Sequence, residues 1–301
     1  MKRNLLIIMM LMLSFGGLIA QNLKPYVLAF ESTEKISDVR AKLEANLVKN
    51  GFEVLGQYQP ANDQNRFLMV ISSPELINAV KKVGGLTGFA AALRIAITIE
   101  NSKTIVSYTQ PAYWGNAYFR DDFDKVASEY GTFTSLLVIT MKESGNFIGT
   151  GFGSADGISA ADLREYHYML GMPYFDDTVL LGEFNSYQTA IDKVELSIKT
   201  GVTNLKMVYK ITIPGKDITL YGFALSGPSG ESKFLPIVDQ GSPKHTAFLP
   251  YEVLVSGRKV EMLHGRFRIA LSFPELTMGT FSKIMSTPGD IEDLLKKLVE
   301  K

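Results

Sequence analysis

Hydrophobic positions recur along this chain with two periods, and the same succession of periods occurs twice. Over Asp38–Gly51, Val39, Leu43 and Leu47 fall four residues apart on one face of a helix, which Asn50-Gly51 stops with a left-handed cap. Over Thr189–Gly201, Ala190, Val194 and Ile198 repeat that stripe ahead of Gly201, with Ser186 as the expected cap. Alternating stretches follow each helix and predict strands. In the first pass they cover Phe52–Tyr58, Arg66–Ile71, Leu93–Glu100 and Thr104–Tyr108, after an opening strand at 25–30. In the second they cover Lys206–Ile213, Ile218–Ser226, Glu252–Val255 and Lys259–Leu263. The stretch Phe89–Pro111 is echoed in order by Thr246–Phe267. One fold used twice, as a tandem duplication, is the expectation.

Between the passes lies Asp121–Asn185, for which the second pass has no counterpart. Its pattern predicts a helix over Asp122–Tyr130, a strand over Ser135–Thr140 and a glycine-punctuated loop at Gly149, Gly151 and Gly153. Ser159 and Asp162 form a capping-box signal for a helix reaching about Leu170. Ser37 is the expected cap of the first helix, and Thr287-Pro288 opens the last, with Ile291, Leu294, Leu295 and Leu298 as its stripe. Helix-then-hairpin units without regular strand–helix alternation point to an α+β fold: two similar domains, each a small, mainly antiparallel sheet packed with helices. The expected division is 1–20 as signal peptide, 24–184 as the first domain with an extra segment, and 185–301 as the second.

The first pass resembles the domain-of-unknown-function-302 family. The residues that carry this are the opening strand and helix ending at Asn50-Gly51, the glycine-broken lead into Leu93–Ile97, and the exit Tyr108-Thr109-Gln110-Pro111. The second pass keeps Leu249-Pro250 but has His264-Gly265-Arg266-Phe267 at the exit. The resemblance implies a compact α+β domain that pairs with another copy, hence an internal pseudo-dimer, and it brings no activity.

Composition narrows the function classes. Apolar residues at 46% and charged residues at 21% exclude extensive disorder. Lys2-Arg3, the unbroken apolar run Leu5–Leu13 and the small residues ending at Ala20 read as a cleaved secretory signal, too short in its apolar core for a span. Cleavage removes two basic residues and leaves a slightly acidic protein, which argues against nucleic acid as partner. With no cysteine, disulfides, thiolate metal sites and cysteine nucleophiles are excluded, and bacterial export to a periplasm fits. No cofactor is implied.

Candidate chemistry is sparse. If residues 266–270 are extended, Arg266 and Arg268 share one face beside His264 and could clamp a carboxylate or phosphate; ion pairing to nearby acids is the plainer reading. Arg94 interrupts an apolar strand and needs a partner, water or an interface. These four residues are the ligand-binding candidates. Asp122 and Asp124 lack the ligand run of a calcium loop and suit a helix start equally well. The histidines His167, His245 and His264 show no zinc-ligand spacing. Tyr113, Trp114, Tyr118 and Phe119, with Tyr166, Tyr168, Tyr174 and Phe175, either line a cleft or, as the commoner use of such rings, pack the extra segment onto the sheets. The expectation is an exported, non-catalytic protein that binds a small molecule or an envelope partner at the inter-domain surface. The alternatives are a hydrolase or isomerase using His167 or His264 with nearby acids, and a purely structural envelope protein.

Overall fold

The computed structural model describes residues 22–300, so the expected signal segment lies outside the described residues. The chain is α+β, with two antiparallel sheets. The six-stranded sheet runs β2-β3-β4-β5-β1-β6, where β1 is Tyr26–Ser32, β2 Glu53–Tyr58, β3 Arg66–Ser72, β4 Leu93–Glu100, β5 Lys103–Thr109 and β6 Thr150–Phe152. The five-stranded sheet runs β7-β11-β10-β9-β8, where β7 is Val179–Glu183, β8 Leu205–Thr212, β9 Ile218–Leu225, β10 Tyr251–Ser256 and β11 Lys259–Met262. Without β6, the two orders are the same.

The helices follow suit. Ile36–Lys49 leaves β1 as Tyr187–Thr200 leaves β7, and Val39, Leu43 and Leu47 are buried as Ala190 and Val194 are, with Ile198 partly covered. Ser186 caps its helix reciprocally with Thr189, whereas Ile36–Lys49 starts from Lys35, and Ser37 is already inside it, donating to Asp38. β7, which lies ahead of residue 185, pairs with β11 in the second sheet.

The extra segment departs most from expectation. Ser135–Thr140 is not a strand; it sits within the helix Ala127–Ser144. Its β-branched composition conceals a buried stripe of Tyr130, Phe133, Leu137, Thr140, Met141 and Ser144, which is helical spacing. Thr134, Thr140 and Ser144 donate their hydroxyls to carbonyls four residues back, which removes their competition with the helix ladder. This helix covers Ile36–Lys49 and Pro74–Val83 on the outer side of the first sheet. Ser159 does cap a helix, but it stops at Arg164.

The two halves are joined by an exchange. Gly85–Ala90, which enters β4, packs on β9 and β10 of the second sheet, and Thr246–Phe248, which enters β10, packs on β3, β4 and β5 of the first. Gly88 permits the approach, since a Cβ there would come within 2.5 Å of Leu254. At the sheet edges a Cβ on Gly56 of β2 would meet the Val208 carbonyl of β8 at 2.1 Å.

Charge is buried in this contact. Arg94 on β4, 2% exposed, pairs with Glu252 on β10, which also accepts from Arg268 at 3.0 Å and from the Tyr209 hydroxyl. Arg268 also donates to the carbonyls of Phe248 and Pro250. Arg66 joins Asp239 and donates to Thr246 at 2.7 Å, and Glu100 accepts from Ser242 and from the Lys244 amide at 2.9 Å. Tyrosines complete the contact: Tyr26, Tyr113 and Tyr166 donate to the carbonyls of Ser272, Leu271 and Ala270, the orphaned end of the helix Gly265–Ser272. Glu252→Ala strands two buried guanidiniums, so urea unfolding of that variant should show a loss of about 3–5 kcal/mol. A loss below about 1 kcal/mol would mean the charges are not mutually dependent.

Candidate functional site

The sequence-predicted residues do not form one clamp. Residues 265–272 are helical rather than extended, so Arg266 and Arg268 point to opposite sides, about 200° apart at ~100° per residue. Arg268 turns inward to Glu252 and over the ring of Tyr251 at 4.7 Å, and Arg266 turns outward. Burial opposes the charge on Arg94, and Glu252 more than offsets it, so Arg94 stays cationic. Arg94 and Arg268 are therefore interface fasteners. The helical signal was present in Phe267, Ala270 and Leu271, an i, i+3, i+4 stripe.

His264 is the N-cap of this helix, and its Nδ1 accepts the Arg266 amide at 3.2 Å. Burial, and then the Arg266 charge, lower its pKa below the ordinary imidazole value, which suits an acceptor. His264 and Arg266 line one open cleft of about 420 Å³ with His167 and Asp177. His245 lies elsewhere, its ring 5.0 Å from that of Tyr26 and 4.9 Å from that of Phe273, with Nδ1 buried and unpartnered; burial lowers its pKa. Asp122 pairs with Lys125 and Asp124 with Arg164, and no group of three metal-ligating side chains occurs among the described residues. The aromatic residues mainly serve packing: Phe175 lies between Tyr118 at 5.2 Å and Phe267 at 6.0 Å, joining the extra segment to both halves.

A concavity of about 720 Å³ opens between the halves on the side where β2 meets β8. One wall carries Arg40 from the first helix with Gln57, Gln59, Asn62 and Gln64; the other carries Lys206 and Ser226. Arg40 lies 4.5 Å over the ring of Phe67 and donates through Nε to Gln57 at 2.8 Å, while Gln57 donates to Glu44. Arg40 also lies 3.9 Å from the Glu44 carboxylate, and its Nη groups make no hydrogen bond among the described residues. Lys206 and the side chains of Gln59, Asn62 and Gln64 have no protein partner among the described residues.

At the floor sits Glu231, 1% exposed, the first residue of the helix Glu231–Val238. It accepts from the Tyr58 hydroxyl at 2.9 Å, the Ala61 amide at 2.8 Å and the Leu225 amide at 3.2 Å. Ala61 and Asn62 both hold left-handed φ, 57° and 56°, across a turn closed by the Asp63 amide donating to Pro60 at 3.0 Å. Such a turn ordinarily takes Asn-Gly, so the bond to the Ala61 amide holds an unfavourable conformation in place. No sequence pattern singled out Glu231, because its partners are 173 and 170 residues away in the chain.

Burial pushes the Glu231 carboxyl up to about 7, against the hydrogen bonds that favour its ionised form. A raised carboxyl pKa contributes stability that is fully present below about 4.5 and is lost as pH rises through about 7. Relative to Glu231→Gln, the wild type should therefore lose up to roughly 3 kcal/mol between pH 4.5 and pH 8. Parallel pH profiles of urea stability for the two proteins would contradict this.

No helix among the described residues is long and apolar enough to cross a membrane. No family model matches the chain, and no curated protein matches it. Among solved structures, the crystal structure of an uncharacterized conserved protein DUF302 from Bacillus stearothermophilus is similar over 39% of this chain and 97% of that one, at 13% identity and a TM-score of 0.34.

Proposed function

We propose that this is an exported, non-catalytic binding protein, built as a tandem duplication whose two halves form an internal pseudo-dimer and hold a small, hydroxyl-rich anion in the cleft between them. The cleft itself carries the reading: about 720 Å³, contributed by both halves, and within the size range of small-molecule sites. Gln59, Asn62 and Gln64 each offer a donor and an acceptor, which matches hydroxyl groups that are both. Arg40 and Lys206 supply positive charge for one anionic group. A planar base has no free platform on Phe67, whose face Arg40 already covers. A sugar acid meets these requirements.

The non-catalytic reading is supported by the state of the acid at the floor. Both oxygens of Glu231 are engaged by Tyr58, Ala61 and Leu225, which supports a role in shaping the cleft. The hydrolase or isomerase alternative would use His167 or His264 with Asp177, which share a cleft. There the His264 Nδ1 is already engaged by a backbone amide. The duplication is supported by the common strand order of the two sheets and by the reciprocal exchange of Gly85–Ala90 and Thr246–Phe248. Export is supported by Lys2-Arg3 and Leu5–Leu13.

Calorimetry with glucuronate as probe tests the cleft. Lys206→Ala and Arg40→Ala should each weaken binding at least about tenfold, the least expected for a lost charge-assisted hydrogen bond. Glucose, lacking the carboxylate, should bind weakly to all three proteins. Absence of glucuronate binding by the wild type, or equal affinity for glucose, would remove this reading.

A further inference from the structure

A second concavity differs from the polar cleft in position and in chemistry. It is a slot of about 50 Å³ between the extra segment of the first half and the C-terminal helices of the second. Met169 and Met172 of the extra segment line it together with Ile269, Phe273, Met278 and Phe281 of the second half. Every lining side chain is apolar or aromatic except one, Arg266, which also lines the open cleft with His264 and His167. Arg266 therefore stands where an apolar slot meets a polar opening.

We propose that this slot takes the apolar tail of a single-chain amphiphile and that Arg266 holds its carboxylate head, as for a fatty acid. Arg266 is exposed and has no ion-pair partner among the described residues, whereas Arg94, Arg268 and Arg66 all have carboxylate partners. His264 cannot supply a second cation at neutral pH, because its pKa is lowered and its Nδ1 accepts from the Arg266 amide. One cation at one end of an apolar slot matches one anionic head on one chain.

The slot is too narrow for a ring system of drug size, which takes roughly 300 Å³ or more, but it accepts the end of a flexible chain. Three of its lining side chains are methionines, unbranched and polarizable, so the walls adapt to a chain that enters. Apolar surface is exposed at the slot and at the cleft that adjoins it: Met278, in the slot lining, is 56% exposed, and Leu170, in the lining of the adjoining cleft, 98%. Exposed apolar groups beside an apolar opening mark a site of contact, and Met278 and Leu170 are such groups here.

The lining of this site shares no residue with the polar cleft, so the two sites fail or stand separately. The test is calorimetric titration of the full exported chain with dodecanoate and with dodecyltrimethylammonium, both below micelle formation. Dodecanoate should bind one per chain, at least about tenfold tighter than the cationic amphiphile. Arg266→Glu, a substitution at an exposed position, should reverse that preference with an unchanged melting temperature, and Arg266→Lys should restore it. Glucuronate binding should be the same in all three proteins. No dodecanoate binding, equal affinity for the two amphiphiles, or an Arg266→Glu variant that binds dodecanoate like the wild type would each overturn the proposal.

Discussion

Arg94, Glu252 and Arg268 form a buried charge group in which the first half's Arg94 finds its carboxylate partner only in the second half. Arg94 comes from the first sheet, and Glu252 and Arg268 come from the second half. Removing one partner leaves an uncompensated ion away from water, which costs several kcal/mol, whereas a purely apolar contact could slide or separate at smaller cost. The requirement that all three meet therefore fixes how β4 faces β10. Arg66 with Asp239 and Glu100 with Ser242 and Lys244 repeat the same arrangement toward one edge of the contact. Gly88 and Gly56 provide the close approach that brings these groups within reach.

The concavities are where this fastening ends. Beyond the β2 and β8 edges the halves diverge, and Arg40 and Lys206 face each other across open space, with Glu231 tying the floor together. That one carboxylate holds a turn whose backbone Ala61 does not favour, so the shape of the cleft depends on a contact between the halves. On the opposite flank, the extra segment reaches the helix Gly265–Ser272 through Tyr166 and Phe175 and leaves the slot beside Arg266. Both candidate sites follow from the joining of two similar units, one of which carries additional chain.

Much of this order could be read in the chain. The stripes Val39/Leu43/Leu47 and Ala190/Val194 mark equivalent buried faces because helical periodicity is a local property. Ser135–Thr140 misled because β-branched residues favour strands while the tertiary stripe from Tyr130 to Ser144 required a helix. At 266–270 the alternation of Arg266, Phe267 and Arg268 looked like a strand, yet Phe267, Ala270 and Leu271 needed one buried helical face. Arg94 was legible as a charge in need of a partner, but the partner was not, since Glu252 lies far along the chain. Glu231 was illegible for the same reason: its three donors come together only after folding.

The central claim is that the buried charges and the exchanged segments make the two halves one cooperative unit. Trp114, the single tryptophan, is buried in the helix Pro111–Phe119 of the first half and reports the unfolding of that half. Equilibrium urea unfolding followed by Trp114 fluorescence and by far-ultraviolet circular dichroism, which reads both halves, tests the claim directly. The account predicts one transition with the same midpoint and slope by both probes. A Trp114 transition separated from a second, dichroism-only transition would show halves that unfold independently and would contradict it.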